Sequence, residues 1–304
     1  MTPPSASTDP SDLSPSRGTT TTPIRRPSTS VCDSEPRRPR HPLPSPVPIT
    51  KDDAVCIRHW DWSETSQTVS LFSREHGIVR CVAKGSRRER SDFSGGLELA
   101  TRGEMAVSLK RDGQLSNLTA WDLQEIFPQV RSSLSAFTHA MAMLDVVHHC
   151  LEPLDPHPGL FDALVRGLRS LTDPPAQRPA LAVVLWTALD DTGHRPELFV
   201  DAATGAELPP PSDAGVRTFS PRAGGLVAGA VRDGPAWRVR AETVELLRLI
   251  ASGVWPDPDA RDPATVERAA RLLGWYFREV FGVEPPALAP FLTLPDARDP
   301  GPVG

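Results

Sequence analysis

The chain has 304 residues, 39% of them hydrophobic and 23% charged, with a formal net charge of −5. That length fills one large domain or two modest ones, and the negative balance excludes a uniformly basic nucleic-acid coat. The four cysteines, Cys32, Cys56, Cys81 and Cys150, stand far apart with no CxxC pair, which excludes zinc-finger spacing and reads as free thiols in a reducing compartment.

Residues 1–50 hold six Arg against four acids, and residues 1–48 contain twelve prolines among Ser and Thr. With nothing periodic to bury, this stretch is expected to be a disordered tail. Arg25-Arg26 and Arg37-Arg38-Pro39-Arg40 would add weak phosphate contacts or simply be solvated. No apolar leader opens the chain, and the longest strongly apolar run, Ala180 to Trp186, is too short to span a bilayer. A cytoplasmic protein with no membrane contact is expected.

Strand patterns begin near Asp53. Ala54 to Trp60 is rich in β-formers, and Thr65 to Glu75 puts Val69 and Leu71 on one face. After a turn at His76-Gly77, Val79, Cys81 and Ala83 alternate inward while Arg80 and Lys84 point out. Glu104 to Lys110 turns Met105, Val107 and Leu109 inward, Asp112-Gly113 is a hairpin turn, and Leu115 to Trp121 completes the set. Five strands in about 70 residues without a helix suggest a small closed barrel of the OB type over residues 51–128.

The period changes after Pro128. Leu134, Phe137, Met141, Leu144, His148 and Leu151 form one helical stripe. Phe161, Leu164, Leu168 and Leu171 form a second, and Leu181, Val184, Leu185 and Ala188 a third that opens at Pro174-Pro175 and ends near Gly193. A Gly/Pro-rich stretch follows. Helical periodicity returns at Val244, Leu247, Ile250 and Ala251, then in a last helix with Asp262 as N-cap, Pro263 at its first position, and Val266, Ala270, Leu273 and Phe277 buried. The fold class is α+β: a five-stranded OB-type β-barrel followed by an all-α helical domain (129–284) with a loop-rich insertion at about 195–238, then a flexible tail (285–304).

Charge singles out one stretch. Residues 74–90 hold six basic against two acidic side chains, whereas residues 51–131 are neutral overall and residues 132–304 carry −7. Lys84, Arg87, Arg88 and Arg90, with Arg74 and Arg80 on the adjoining strand and Lys110 and Arg111 at the neighbouring turn, form the candidate DNA-binding set. Such cations neutralise phosphates without reading bases. The bland alternative is a solvated charged loop. Phe93, Trp60 and Trp62 are candidate stacking rings, with core or barrel-end packing the more economical role for each. His148, His149, Asp155 and His157, and likewise Asp190, Asp191 and His194, sit at helix ends, where core or capping roles explain them better than a metal. The sequence contains no GxxxxGK[ST], GxSxG, HExxH or dinucleotide-type glycine motif, so no catalytic site is expected.

Three segments resemble the bacterial recombination mediator RecO. Leu71-Phe72-Ser73-Arg74-Glu75-His76-Gly77 through Val82-Ala83-Lys84-Gly85-Ser86-Arg87-Arg88, and Trp121 to Pro128 running straight into a helix, are similar to its N-terminal domain. Phe219-Ser220-Pro221-Arg222-Ala223-Gly224-Gly225-Leu226 resembles a signature of its C-terminal half. The similarity covers about residues 53–282. It implies binding of single- and double-stranded DNA, partnership with RecR, contact with the C-terminal tail of single-strand binding protein (SSB), strand annealing and RecA loading, in the cytoplasm at the nucleoid. Arg166 and Arg169 are candidates for the tail contact. The family often carries a four-cysteine zinc site, whose positions align here with Asp201, Thr204, Ala228 and Val231, so no metal and no cofactor are expected. The alternative is an OB-fold adaptor that binds a protein partner and carries its basic loop incidentally.

Overall fold

The computed structural model describes residues 48–86, 93–94, 97–110, 114–211, 215–231, 234–257 and 259–293. The expectations for the N-terminal tail up to residue 47, for Arg87, Arg88, Arg90 and Arg111, for the Asp112-Gly113 turn and for residues 294–304 lie outside them.

The strands are β1 (Ile49–Ser63), β2 (Ser66–Ser73), β3 (Gly77–Ala83), β4 (Phe93–Ser94), β5 (Arg102–Ser108) and β6 (Ser116–Glu125). Antiparallel ladders run in the order β3-β2-β1-β5-β6, and a parallel pairing of β3 with β6 (Cys81 with Ser116, Ala83 with Leu118) joins the two ends. The five expected strands therefore form a closed OB-like ring without free edges, and β4 is a short parallel addition to β6. Val69, Leu71, Val79, Cys81, Ala83, Met105, Val107 and Trp121 fill its interior, and Leu109 is partly buried against them. Each Val, Leu or Met among them, fully buried, contributes about 1.5–3 kcal/mol.

One outer face of the ring is buried as well. Val55, Ile57, Phe72, Ile78 and Ala100 belong to the core of the helices, not to the ring's interior. Phe72 meets Phe161 edge to face at 5.7 Å. This double burial explains why β2 loses its alternation from Val69 to Ser73.

The helices are α1 (Leu134–Cys150), α2 (Pro158–Arg169), α3 (Pro174–Asp191), α4 (Ala241–Ala251), α5 (Pro263–Phe281) and the short α6 (Ala289–Leu292). Asp173 caps α3 and Asp262 caps α5 by accepting first-turn N–H groups, and Pro263 begins α5 as its position predicts. The expected stripes of α2 to α5 are buried or, at Ala251, partly buried, but α1 is rotated from its expected phase. Leu134 and Phe137 are 79% and 43% exposed, and Ala136, Ala140, Met143, Leu144 and Val147 face inward. Small alanines let α1 approach its neighbours closely, an advantage that residue size conceals in the sequence.

The residues after Pro285 also differ from the expected flexible tail. As far as residue 293 they are folded: Leu288 and Leu292 are buried beside Gly274, and the Trp275 indole donates to the Leu292 carbonyl at 3.2 Å. Apolar contact with α5 outweighs the local proline content.

Within the insertion, β7 (Val216–Ser220), β8 (Gly225–Val227) and β9 (Trp237–Arg240) form a sheet in the order β8-β7-β9. Its inner face is held by aromatics. Phe219 and Trp237 stack at 5.7 Å, and Tyr276 of α5 meets Phe219 edge-on at 5.3 Å. Gly225 lies against the Glu197 backbone, where any Cβ would collide.

Candidate nucleic-acid interface

β3 is fixed at its start by the helical layer. Gly77 has φ +66°, and a Cβ there would run into the Asp155 backbone. The Leu154 N–H donates to the Ile78 carbonyl at 3.1 Å. From this anchor the strand alternates, with Val79, Cys81 and Ala83 inside and Arg80 exposed. Register sets Arg80 beside Ser70 of β2 and Arg58 of β1, and in the next row outward Val82 beside Thr68 and Trp60. Lys84 follows on the exposed turn, where the Gly85 N–H donates to Ser66 Oγ and Ser86 Oγ to Gln67 Oε1, tying the departing chain to β2. Ring closure brings in Lys110. Its N–H donates to Ser116 Oγ, and Ser116 is the partner of Cys81. Arg80 on β3 and Lys110 beside it therefore stand at about one level, with Lys84 about 13 Å further along the chain.

The cations of this region divide in two. Among the described residues Arg80, Lys84 and Lys110 make no ion pair and are exposed. Others hold the ring to the helices. Arg74, at the opposite end of β3, binds Asp162 of α2 through two nitrogens at 2.8 and 3.2 Å and also Glu75. The Asp162 hydrogen bond is the main cause that raises its pKa. Arg58 pairs with Asp145 of α1, and Arg169 of α2 with Glu125 of β6. The Arg169 hydrogen bond is the first cause that lowers the Glu125 pKa. Arg166 lies over the Trp255 ring at 4.3 Å. Arg74, Arg166 and Arg169 thus already have partners.

Where α1 ends, beside this face, His148 reports the local field. Burial foremost, and then Arg58, His149 and Arg80, push its pKa down to about 4. Its Nδ1 has no hydrogen-bond partner among the described residues. The sequence placed His148 on an apolar stripe and missed this neighbourhood. The ring candidates also separate. Phe93 is 8% exposed inside the barrel, Trp60 is 49% exposed on the outer face, and the side chain of Trp62 lies outside the described residues. The signal available for Trp60 was its i,i+2 relation to Arg58, which sets both on one strand face. At the helix ends the capping reading holds for Asp191, whose carboxylate accepts the Leu160 N–H of α2 at 2.8 Å.

A family model described as "Recombination protein O N terminal" matches residues 48–127, and one described as "Recombination protein O C terminal" matches residues 131–288. The chain belongs to the RecO family. It is 29% identical over 230 residues to a DNA repair protein RecO of Synechococcus sp. (strain JA-3-3Ab), covering 71% of this chain and 72% of that one. It is 32% identical over 203 residues to that of Geobacter sulfurreducens, covering 66% and 80%, and 31% identical over 219 residues to that of Cutibacterium acnes, covering 69% and 85%.

The zinc positions implied by RecO resemblance do not fit a metal in this chain. Thr204, Ala228 and Val231 offer no thiolate or imidazole, and Asp201 is already engaged. One Asp201 oxygen accepts the N–H groups of Ala203 and Thr204 at 2.9 and 3.0 Å, and the other accepts that of Ala228 at 2.7 Å. The bond from Ala228 leads the causes that lower the Asp201 pKa, with burial opposing. A single carboxylate thus joins the two turns that four thiolates would otherwise clamp. Among the described residues no group of three or more His, Cys, Asp or Glu converges on a point, and no helix is long and apolar enough to cross a membrane.

Proposed function

We propose that this RecO-family protein is a non-enzymatic recombination mediator of the cytoplasm. It grips DNA phosphates with Arg80, Lys84 and Lys110 at the outer face of β3 and with Arg87, Arg88, Arg90 and Arg111, the cations next to them in sequence. It binds single and double strands, anneals complementary strands, and with RecR helps load RecA onto strands coated by SSB, whose C-terminal tail it contacts. The observation that carries this reading is the row of exposed cations without ion pairs on a closed OB-like ring in a chain of this family. Phosphate contact suits a mediator that works on any sequence, because counterion release needs no base code. The exposed Trp60 ring on the same face adds a sequence-tolerant stacking surface for unpaired bases.

The test is a salt titration of single-strand binding with Lys84, Arg87 and Arg88 replaced together by Ala. Loss of three phosphate contacts reduces the slope of log K against log salt by about 2. An unchanged affinity and slope would leave the adaptor reading, in which the basic loop is incidental. Strand annealing with and without SSB tests the mediator role itself.

A further inference from the structure

The small sheet of the insertion has an outer face that the reading above does not use. Residues 215–240 contain five arginines and one aspartate, within a helical half whose net charge is −7. Register sorts them. Thr218 pairs with Arg238 and Val216 with Arg240, so both arginines stand on the face opposite the one that Phe219 and Trp237 bury on α5. Arg222, in the turn between β7 and β8, folds over Gly234, where a Cβ would lie 3.7 Å from its Cδ. Arg238 and Arg240 therefore stand in one file on β9, and the Arg222 side chain lies beside Gly234, just before that strand. All three are exposed, and none has an ion pair or side-chain hydrogen bond among the described residues.

The described carboxylates nearby are engaged elsewhere. Glu197 accepts the Phe199 and Val200 N–H groups, Asp201 accepts the three N–H groups described above, and Glu242 binds Arg268. We infer that this file is a second phosphate-contacting surface, which holds a nucleic-acid backbone apart from the one on β3. The inference rests on the DNA-binding reading of the chain. Charge complementarity selects the ligand. A protein-docking face is anchored by exposed aromatic or aliphatic side chains, and here the rings of the sheet are turned inward. Alternate residues of one strand stand about 6.6 Å apart, so Arg238 and Arg240 meet an extended polyanion as a ladder of charges rather than a single ion. A molecule with two such surfaces holds two strands at once.

The experiment compares three forms of the full chain: unaltered, Arg222→Ala/Arg238→Ala/Arg240→Ala, and Lys84→Ala/Arg87→Ala/Arg88→Ala. Each is titrated with fluorescent single-stranded oligonucleotide at several salt concentrations and assayed for annealing of a complementary pair. The sheet variant should lower the salt slope by about 2, lose at least tenfold in affinity near 0.1 M salt, and anneal more slowly. Replacing the same three arginines by Lys should restore the slope, because charge and not bidentate geometry makes the contact. Unchanged circular dichroism and melting temperature of the sheet variant would assign the loss to the surface. If the sheet variant keeps both affinity and slope while the barrel variant loses them, this inference falls and the function proposed above stands. If the unaltered chain shows no salt-dependent binding, both fall together.

Discussion

Replacing Asp145 by Ala tests whether the ring and the helices behave as one body. The Asp145 side chain is 7% exposed, and each of its oxygens serves a different partner. One pairs with Arg58 of β1, and the other accepts the Ala287 N–H at 2.8 Å. Truncation removes both acceptors, leaving a guanidinium facing apolar surface and a backbone donor with no acceptor. Breaking a buried pair from one side costs about 3–5 kcal/mol, and an orphaned donor adds to that. The Arg58 side chain is 32% exposed, so water recovers part of the loss. About 2–4 kcal/mol then remains, equivalent to a fall in melting temperature of roughly 5–15 °C for a domain of this size. Thermal and urea unfolding measure it. The double variant Arg58→Met/Asp145→Leu removes both charges and should be more stable than Asp145→Ala alone. A single variant within about 0.5 kcal/mol of the parent would refute the reasoning, because the pair would then be as weak as a surface salt bridge.

Three other outcomes are expected. Phe93→Ala should destabilise the protein by about 3–5 kcal/mol, whereas Trp60→Ala should leave stability nearly unchanged and weaken single-strand binding by about 1–3 kcal/mol; unfolding curves and anisotropy separate the two. The Asp201 carboxyl has a pKa held below its ordinary 3.8. It therefore contributes stability above that value and loses it as pH falls through the lowered one. Limited proteolysis of the insertion should increase in that acid range for the parent but not for Asp201→Ala, and a chelator at neutral pH should change nothing. Burial pushes the thiols of Cys56, Cys81 and Cys150 up to about 12, so these three should resist a thiol reagent until the protein is unfolded.

Alternation, helical period and local capping signals were enough to read the ring's interior, the cap of α5, and the stripes of α2 to α5. These depend on neighbours in sequence, and a local pattern carries them. What stayed hidden depends on residues far apart in the chain. Arg74 reads as a free cation until Asp162, 88 positions away, is set beside it. Core or barrel-end packing is the more economical reading of Trp60 in the sequence, yet the helices cover only the part of β1 around Val55 and Ile57. The phase of α1 was lost because Ala136 and Ala140 look less apolar than Leu134 and Phe137 and pack better. Ring closure between β3 and β6 has no signature in either strand. Of the candidate interface, the identity of the cations was legible, but which of them already had a partner was not.

The core that runs through Val55, Phe72 and Ile78 into the helices has a consequence for how the molecule can be taken apart. The two halves matched by separate family models are not interchangeable modules. Excised alone, residues 51–128 would expose the apolar patch of Val55, Ile57, Phe72 and Ile78 to water, and would aggregate or need a substitute lid. Melting of the full chain should accordingly show one transition, and a transplanted OB-like ring would have to bring its own ceiling.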